Sequence, residues 1–243
     1  MKKSKLKMNK DDKLVMALIL AVILIAAIAL AVNALAGQSA VGGADEYTVE
    51  SLRVENITTS ADVEGISVVS IDNISGMYVE DGSNDVLSEI FTVTFRNNSE
   101  KALQYAKLIL TVGEESYAFE ISSVPSGASV RAMEINRKCF VPSEGDCTLT
   151  REDISWVDDF SLCENIFKIT PKNNAIIIEN ISDSLVTAPI YVYYKNYIDD
   201  IYVGGITYRI STQQSLEPGQ AVALSAKHFD SEASQIMFVT YAS

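Results

Sequence analysis

Few residues in this chain have the type and spacing to do chemistry. The one histidine, His228, lies in Ala226-Lys227-His228-Phe229-Asp230. A serine triad would have to use it, yet no Gly-x-Ser-x-Gly elbow occurs, so His228 is expected to be an ordinary loop or edge-strand residue. A zinc site needs several His or Cys ligands at set spacing, and one His with three separated cysteines does not supply it. Cys139 and Cys147 flank Phe140-Val141-Pro142-Ser143-Glu144-Gly145-Asp146, whose Pro and Gly suit a turn that brings the sulfurs together. In an oxidising compartment Cys139–Cys147 is the favoured of the three disulfide pairings. Cys163 would then be a free thiol, in effect a small apolar residue.

Carboxylates cluster at Glu80-Asp81, Glu152-Asp153, Asp158-Asp159 and Asp199-Asp200. None has the spacing of an EF-hand loop, and no pair is singled out for acid–base work on a glycoside, so solvated loops are expected. No catalytic, metal or cofactor set emerges, and the chain reads as a non-enzyme with no cofactor. Tyrosine is the more informative type. Of eleven, Tyr191, Tyr193, Tyr194, Tyr197, Tyr202 and Tyr208 fall in one expected hairpin, which an insertion over Lys195 to Gly205 lengthens. Exposed tyrosine offers rigid, amphipathic contact area at small entropic cost, so Tyr194, Tyr197, Tyr202 and Tyr208 are the candidate partner surface. Tyr191 and Tyr193, on one side of the strand, are expected to be partly core.

The elements that must position these residues begin with a membrane segment. Leu14 to Val32 reads LVMALILAVILIAAIALAV, without charge, amide or hydroxyl. At about 1.5 Å per residue, such a helix is roughly 28 Å long and matches the hydrocarbon core of a bilayer. Six lysines precede it, against Asp11 and Asp12, and none lies in residues 33–40 beyond it. Cationic flanks stay in the cytoplasm, so residues 1–13 are expected inside and the rest outside, a single-pass signal-anchor in the cell membrane. Ala34-Leu35-Ala36 before Gly37 resembles a cleavage site and would give a secreted protein instead, but the apolar run exceeds a usual signal peptide core.

Residues 33–46 are small, rich in glycine and aperiodic, as in a stalk. The whole chain carries −13 and residues 1–13 carry +4, so the chain beyond the basic tail carries −17, and such a polyanion repels phosphate backbones, which argues against nucleic acid as a partner. Short apolar runs occur beyond the stalk at Ile90–Phe95, Leu108–Val112, Ala175–Ile178, Ile190–Tyr194 and Ile236–Val239. Each is bounded by Asn, Ser, Gly or Pro, the signature of an all-β sandwich.

An internal repeat organises them. Phe95-Arg96-Asn97-Asn98-Ser99 leads through Leu108-Ile109-Leu110 to Val124-Pro125-Ser126-Gly127. Ile178-Glu179-Asn180-Ile181-Ser182 leads through Ile190-Tyr191-Val192 to Leu216-Glu217-Pro218-Gly219. The order in both is strand, Asn-x-Ser turn, strand, then a Pro turn ending in Gly. Two tandem β-sandwiches are therefore expected, at 47–160 and 161–243. Asn56, Asn73, Asn97 and Asn180 also begin N-x-S/T sequons, which matter only in a glycosylating host.

The second copy, with Asn180-Ile181-Ser182, Tyr191-Val192-Tyr193-Tyr194-Lys195-Asn196 and Leu216-Glu217-Pro218-Gly219, resembles FxLYD-type and related immunoglobulin-like modules of bacterial envelope proteins. Where that family has Phe-x-Leu-Tyr-Asp, this chain has Tyr191-Val192-Tyr193-Tyr194-Lys195, and Lys107 to Thr111 in the first copy departs further. The resemblance implies immunoglobulin-like sandwiches on a surface-exposed protein and no catalytic residues. The functional expectation is a membrane-anchored, non-catalytic binding or structural protein whose partner is an envelope protein or glycan. The alternative is an accessory subunit of a membrane complex whose helix makes the key contacts.

Overall fold

Among the described residues every regular element is a β-strand. The computed structural model describes residues 48–51, 61–83, 85–140 and 147–242, and the compact unit it forms runs from Asp45 to Ser243. The expected basic tail, spanning helix and stalk lie outside the described residues. No helix among the described residues is long and apolar enough to cross a membrane.

The first half contains β1 (Thr48–Ser51), β2 (Asp62–Val63), β3 (Ile66–Met77), β4 (Val86–Asn97), β5 (Ala102–Val112), β6 (Glu115–Val124), β7 (Ser129–Met133) and β8 (Cys147–Val157). The second contains β9 (Phe167–Lys172), β10 (Ala175–Asn180), β11 (Thr187–Ile198), β12 (Ile201–Thr212), β13 (Ala221–Ser225) and β14 (Ser234–Ala242). All five apolar runs picked out in the sequence fall inside strands, namely β4, β5, β10, β11 and β14.

The two halves pair their strands in the same order. In the first, β3-β4-β7 and β6-β5-β8 are the two layers; in the second, β9-β10-β13 and β12-β11-β14 take the same places. Every pairing within these four triplets is antiparallel. Alternation along the strands sends one face inward. Phe91, Val93 and Phe95 of β4 meet Leu108 and Leu110 of β5 and Phe119 of β6 in a first core, Ile176, Ile178, Val192, Tyr194 and Leu224 build a second, and Tyr78, Val79, Ile90 and Met133 form a smaller third cluster. Phe91 anchors the first core, with Tyr117 edge-on at 4.5 Å and Phe140 stacked at 4.8 Å.

One parallel pairing joins the halves. β12 lies beside β7 with Tyr202 opposite Val130, so β1-β3-β4-β7 continues into β12-β11-β14 as one sheet. Antiparallel ladders dominate each half, and the single parallel pair marks the seam.

The repeated Asn turn has one structural cause in both copies. Asn97 Nδ2 donates to the carbonyls of Lys101, Val124 and Pro125 at 2.8–3.1 Å. Asn180 Nδ2 donates to those of Ser184 and Leu216, both at 2.8 Å. Each Oδ1 accepts from the N–H two residues on, Ser99 or Ser182, at 3.0 Å. Each backbone carbonyl accepts from the Gly that closes the distant Pro turn, Gly127 or Gly219, at 2.8 Å. One buried carboxamide thus ties two turns. Neither sequon nitrogen is accessible, since Asn97 is 2% and Asn180 0% exposed.

Candidate functional site

The seam between the halves holds the most unusual chemistry in the described residues. Opposite Lys195 the β11–β12 register jumps, with Tyr194 facing Tyr208 while Asn196 faces Val203. Residues 204–207 of β12 therefore leave the ladder to β11 and need other partners for their backbone groups. Lys195 supplies one set. Its side chain is 0% exposed, and Nζ donates to the carbonyls of Ser122, Gly205 and Ile206 at 3.0, 3.0 and 2.7 Å.

Glu80, from the β3–β4 connection, supplies the other set. Its Oε1 accepts from the N–H groups of Met133 and Gly205, both at 2.8 Å, and Oε2 accepts from those of Gly205 at 3.0 Å and Ile206 at 3.2 Å. One carboxylate therefore bridges the end of β7 to β12. Ser122 Oγ completes the seam, bonding to the Gly205 carbonyl at 3.1 Å and to Thr207 Oγ1 at 2.9 Å.

Gly204 and Gly205 permit this close approach. A Cβ on Gly205 would stand 1.8 Å from the Glu120 carbonyl oxygen, and one on Gly204, at φ +81°, would stand 2.5 Å from Val79 Cγ2. Paired glycines inside a strand signal such an approach.

Desolvation pulls the Lys195 pKa down to about 7, with the Glu80 charge opposing. Burial likewise raises that of Glu80, against the pull of its N–H donors and Lys195. Each charge is offset by bonds to the same peptide segment, the condition under which buried ions are tolerated. All three Lys195 protons are committed, so the group serves as a structural clamp.

Beside the seam lies a cavity of about 520 Å³, between the tip of the β11–β12 hairpin, β9 and the start of β14. Tyr197 and Tyr202, cross-strand partners near that tip, line it with Ile169, Ile236, Asp200 and Gln235. Asp199 and Asp200 close the hairpin with φ of +50° and +63°, the left-handed pair of a type I′ turn. Tyr202 Oη donates to Gln235 Oε1 at 2.8 Å and Tyr197 Oη to the Glu232 carbonyl at 3.1 Å, which fixes both rings.

The four tyrosines expected to form one surface divide into two clusters. Tyr194 is 3% exposed in the second core, stacked on Tyr208 at 5.2 Å, with Phe229 edge-on and His228 on the far side of Tyr208. Tyr202 is 7% exposed and belongs to the first core. The expectation of Tyr194 and Tyr202 as open surface is thus corrected, because strand alternation turns Tyr194 inward with Val192 and the register jump carries Tyr202 to the seam. Tyr197 and Tyr208 are half-buried. Tyr191 and Tyr193 are also half-buried, Tyr191 beneath the Arg209 guanidinium and Tyr193 stacked on Phe238 at 4.2 Å.

The cysteines are thiols in this structure, Cys139 exposed and Cys147 and Cys163 half-buried. Cys147 opens β8, where burial raises its pKa, and Cys163 packs against the second core. No group of three or more His, Cys, Asp or Glu side chains placed to hold a metal occurs among the described residues.

Glu80, expected in a solvated loop, is instead committed to backbone N–H groups at the seam, while Lys195 and Glu134 are the polar residues that sequence reasoning missed. Glu134, 0% exposed, accepts from the N–H groups of Ala118, Asn136 and Lys138 and so shapes the exit from β7. The signals that could have found the clamp were a lysine inside the aromatic run Tyr191–Tyr197 and the mid-strand Gly204-Gly205. Comparison with family models, curated proteins and solved structures gives no match to this chain.

Proposed function

We propose that this chain is a non-catalytic, membrane-anchored protein of the cell envelope that holds two immunoglobulin-like sandwiches, 47–160 and 161–243, outside the membrane as one body. Residues 1–13 stay in the cytoplasm, 14–32 span the bilayer, and 33–46 are the stalk. The partner is an envelope protein or glycan.

The observation that supports this reading best is the seam. Flexible beads on a string would need no shared sheet, whereas here β7 pairs with β12 and Glu80 bonds across to Gly205. Such a joint fixes the spacing and angle of two modules, which suits presentation of a surface at a set position. The charge asymmetry between the lysine-rich start and the acidic remainder supports the topology. The partial likeness to FxLYD-type modules supports the module type.

Limited proteolysis of intact cells tests the reading. A protease added outside should remove the region after residue 46 and spare the basic tail. Digestion only after lysis would refute the topology, and a soluble form starting at Gly37 would refute the anchor.

A further inference from the structure

The cavity at the hairpin tip has a lining whose chemistry selects a ligand class. Its walls are mainly apolar or aromatic, from Leu162, Ile169, Pro171, Tyr197, Tyr202 and Ile236. Its polar groups are Asp200, Ser234 and Gln235, and no lining residue carries a positive charge.

The hydroxyl protons are already used. Tyr197 and Tyr202 donate to Glu232 and Gln235, while Ser234 Oγ donates to Asn196 Oδ1 at 2.6 Å and accepts from the Asp230 N–H at 3.0 Å. What the lining still offers is acceptor lone pairs, the Asp200 carboxylate and two aromatic rings, with the Gln235 amide nitrogen as the side-chain donor. No ion pair engages Asp200 among the described residues.

Charge and polarity therefore exclude an anion, which would meet Asp200 without a compensating cation. A neutral polyol would gain nothing from the net charge. A cation on an apolar stem uses every feature: the stem replaces water on the apolar walls, the two tyrosines add aromatic surface that favours a cation, and the carboxylate pairs with it. The strongly acidic character of the chain favours the approach of cations further.

We propose that this cavity is a binding site for an organic cation, an alkylammonium or guanidinium carried on an aliphatic stem. The site goes beyond the envelope reading and stands without it, since the lining chemistry is the same whichever side of a membrane the β region occupies. The stem belongs either to a small free amine or to a lysine or arginine side chain of a peptide.

Saturation-transfer NMR with the full-length chain tests it, using butylammonium, the tripeptide Gly-Lys-Gly with blocked ends, and its norleucine counterpart as the neutral control. Both cationic probes should receive saturation and compete for one site, with affinity about tenfold or more above the norleucine peptide. Asp200→Asn should erase that preference while keeping the fold, because asparagine tolerates the left-handed conformation at this position. Tighter binding of Gly-Lys-Gly than of butylammonium assigns the site to a peptide, and equal binding assigns it to free amines. Equal affinity for the norleucine peptide, or an undiminished preference in Asp200→Asn, would overturn the proposal.

Discussion

Glu80 and Lys195 grip the same two residues from opposite sides: the carboxylate takes the N–H groups of Gly205 and Ile206, and the ammonium takes their carbonyls. Opposite charges thus meet through a peptide segment that has left its own ladder. The arrangement satisfies a backbone detour with ionised side chains, and it does so where the halves of the fold join.

Removing either group should leave backbone polar atoms unpaired at a buried seam. Lys195→Met is expected to cost about 3 kcal/mol or more, since the Ile206 carbonyl loses its ammonium donor, the Ser122 and Gly205 carbonyls are left with hydroxyl donors alone, and Glu80 loses the opposing charge. Glu80→Gln should cost about 2 kcal/mol, because one arm of the amide then presents donors to donors. The double variant should cost less than the sum, as the two act on one segment. Urea unfolding of the four proteins checks all three statements.

The Lys195 pKa also predicts how stability depends on pH. Folding lowers it to about 7 from an ordinary 10.5, so between those values the unfolded chain binds the additional proton. Stability relative to Lys195→Met should therefore rise as pH climbs from about 7 to about 10.5 and stay level below about 7. Paired unfolding curves across this range check the slope, and a falling difference would contradict the assignment.

Gly205 should resist substitution far more than Gly127. A Cβ at Gly205 would collide with the Glu120 backbone, whereas one at Gly127 meets nothing within 4 Å and suffers only the strain of φ +73°. Gly127→Ala is expected to cost about 1 kcal/mol and Gly205→Ala more than about 3 kcal/mol. Thermal unfolding of both variants measures the gap.

Asn97 and Asn180 should behave as twins. Asn→Ala at either position frees carbonyls at two turns and should cost about 2–3 kcal/mol. Expression in a glycosylating host should leave both residues unmodified once folded, because their side-chain nitrogens are buried and bonded. Intact-mass measurement and peptide mapping check this.

The repeat was legible in the sequence because turns write themselves locally. Asn with Ser two residues on, and Pro with Gly one or two residues on, each have a short-range reason to recur, and their common order pointed to a shared strand order. The strands β4, β5, β10, β11 and β14 were legible for the same reason, since their apolar runs are local. The clamp was not, because Glu80 and Lys195 lie far apart in the chain and meet only through a third segment. Tyr194 was misplaced because alternation alone does not say which face of β11 is inward, and Tyr202 because no local pattern announces the register jump at Lys195. Gly204-Gly205 marked the place without naming what approaches it.

The most direct test of a tethered exterior protein uses the thiol of Cys139, which is exposed. Intact cells expressing the full chain, after mild reduction, are treated with a membrane-impermeant maleimide, and labelling of a Cys147→Ser/Cys163→Ser variant is compared before and after lysis. The proposed topology requires full labelling at the intact surface of a protein that stays in the membrane fraction. Labelling that begins only when the cells are broken would place the β region on the cytoplasmic side and contradict it.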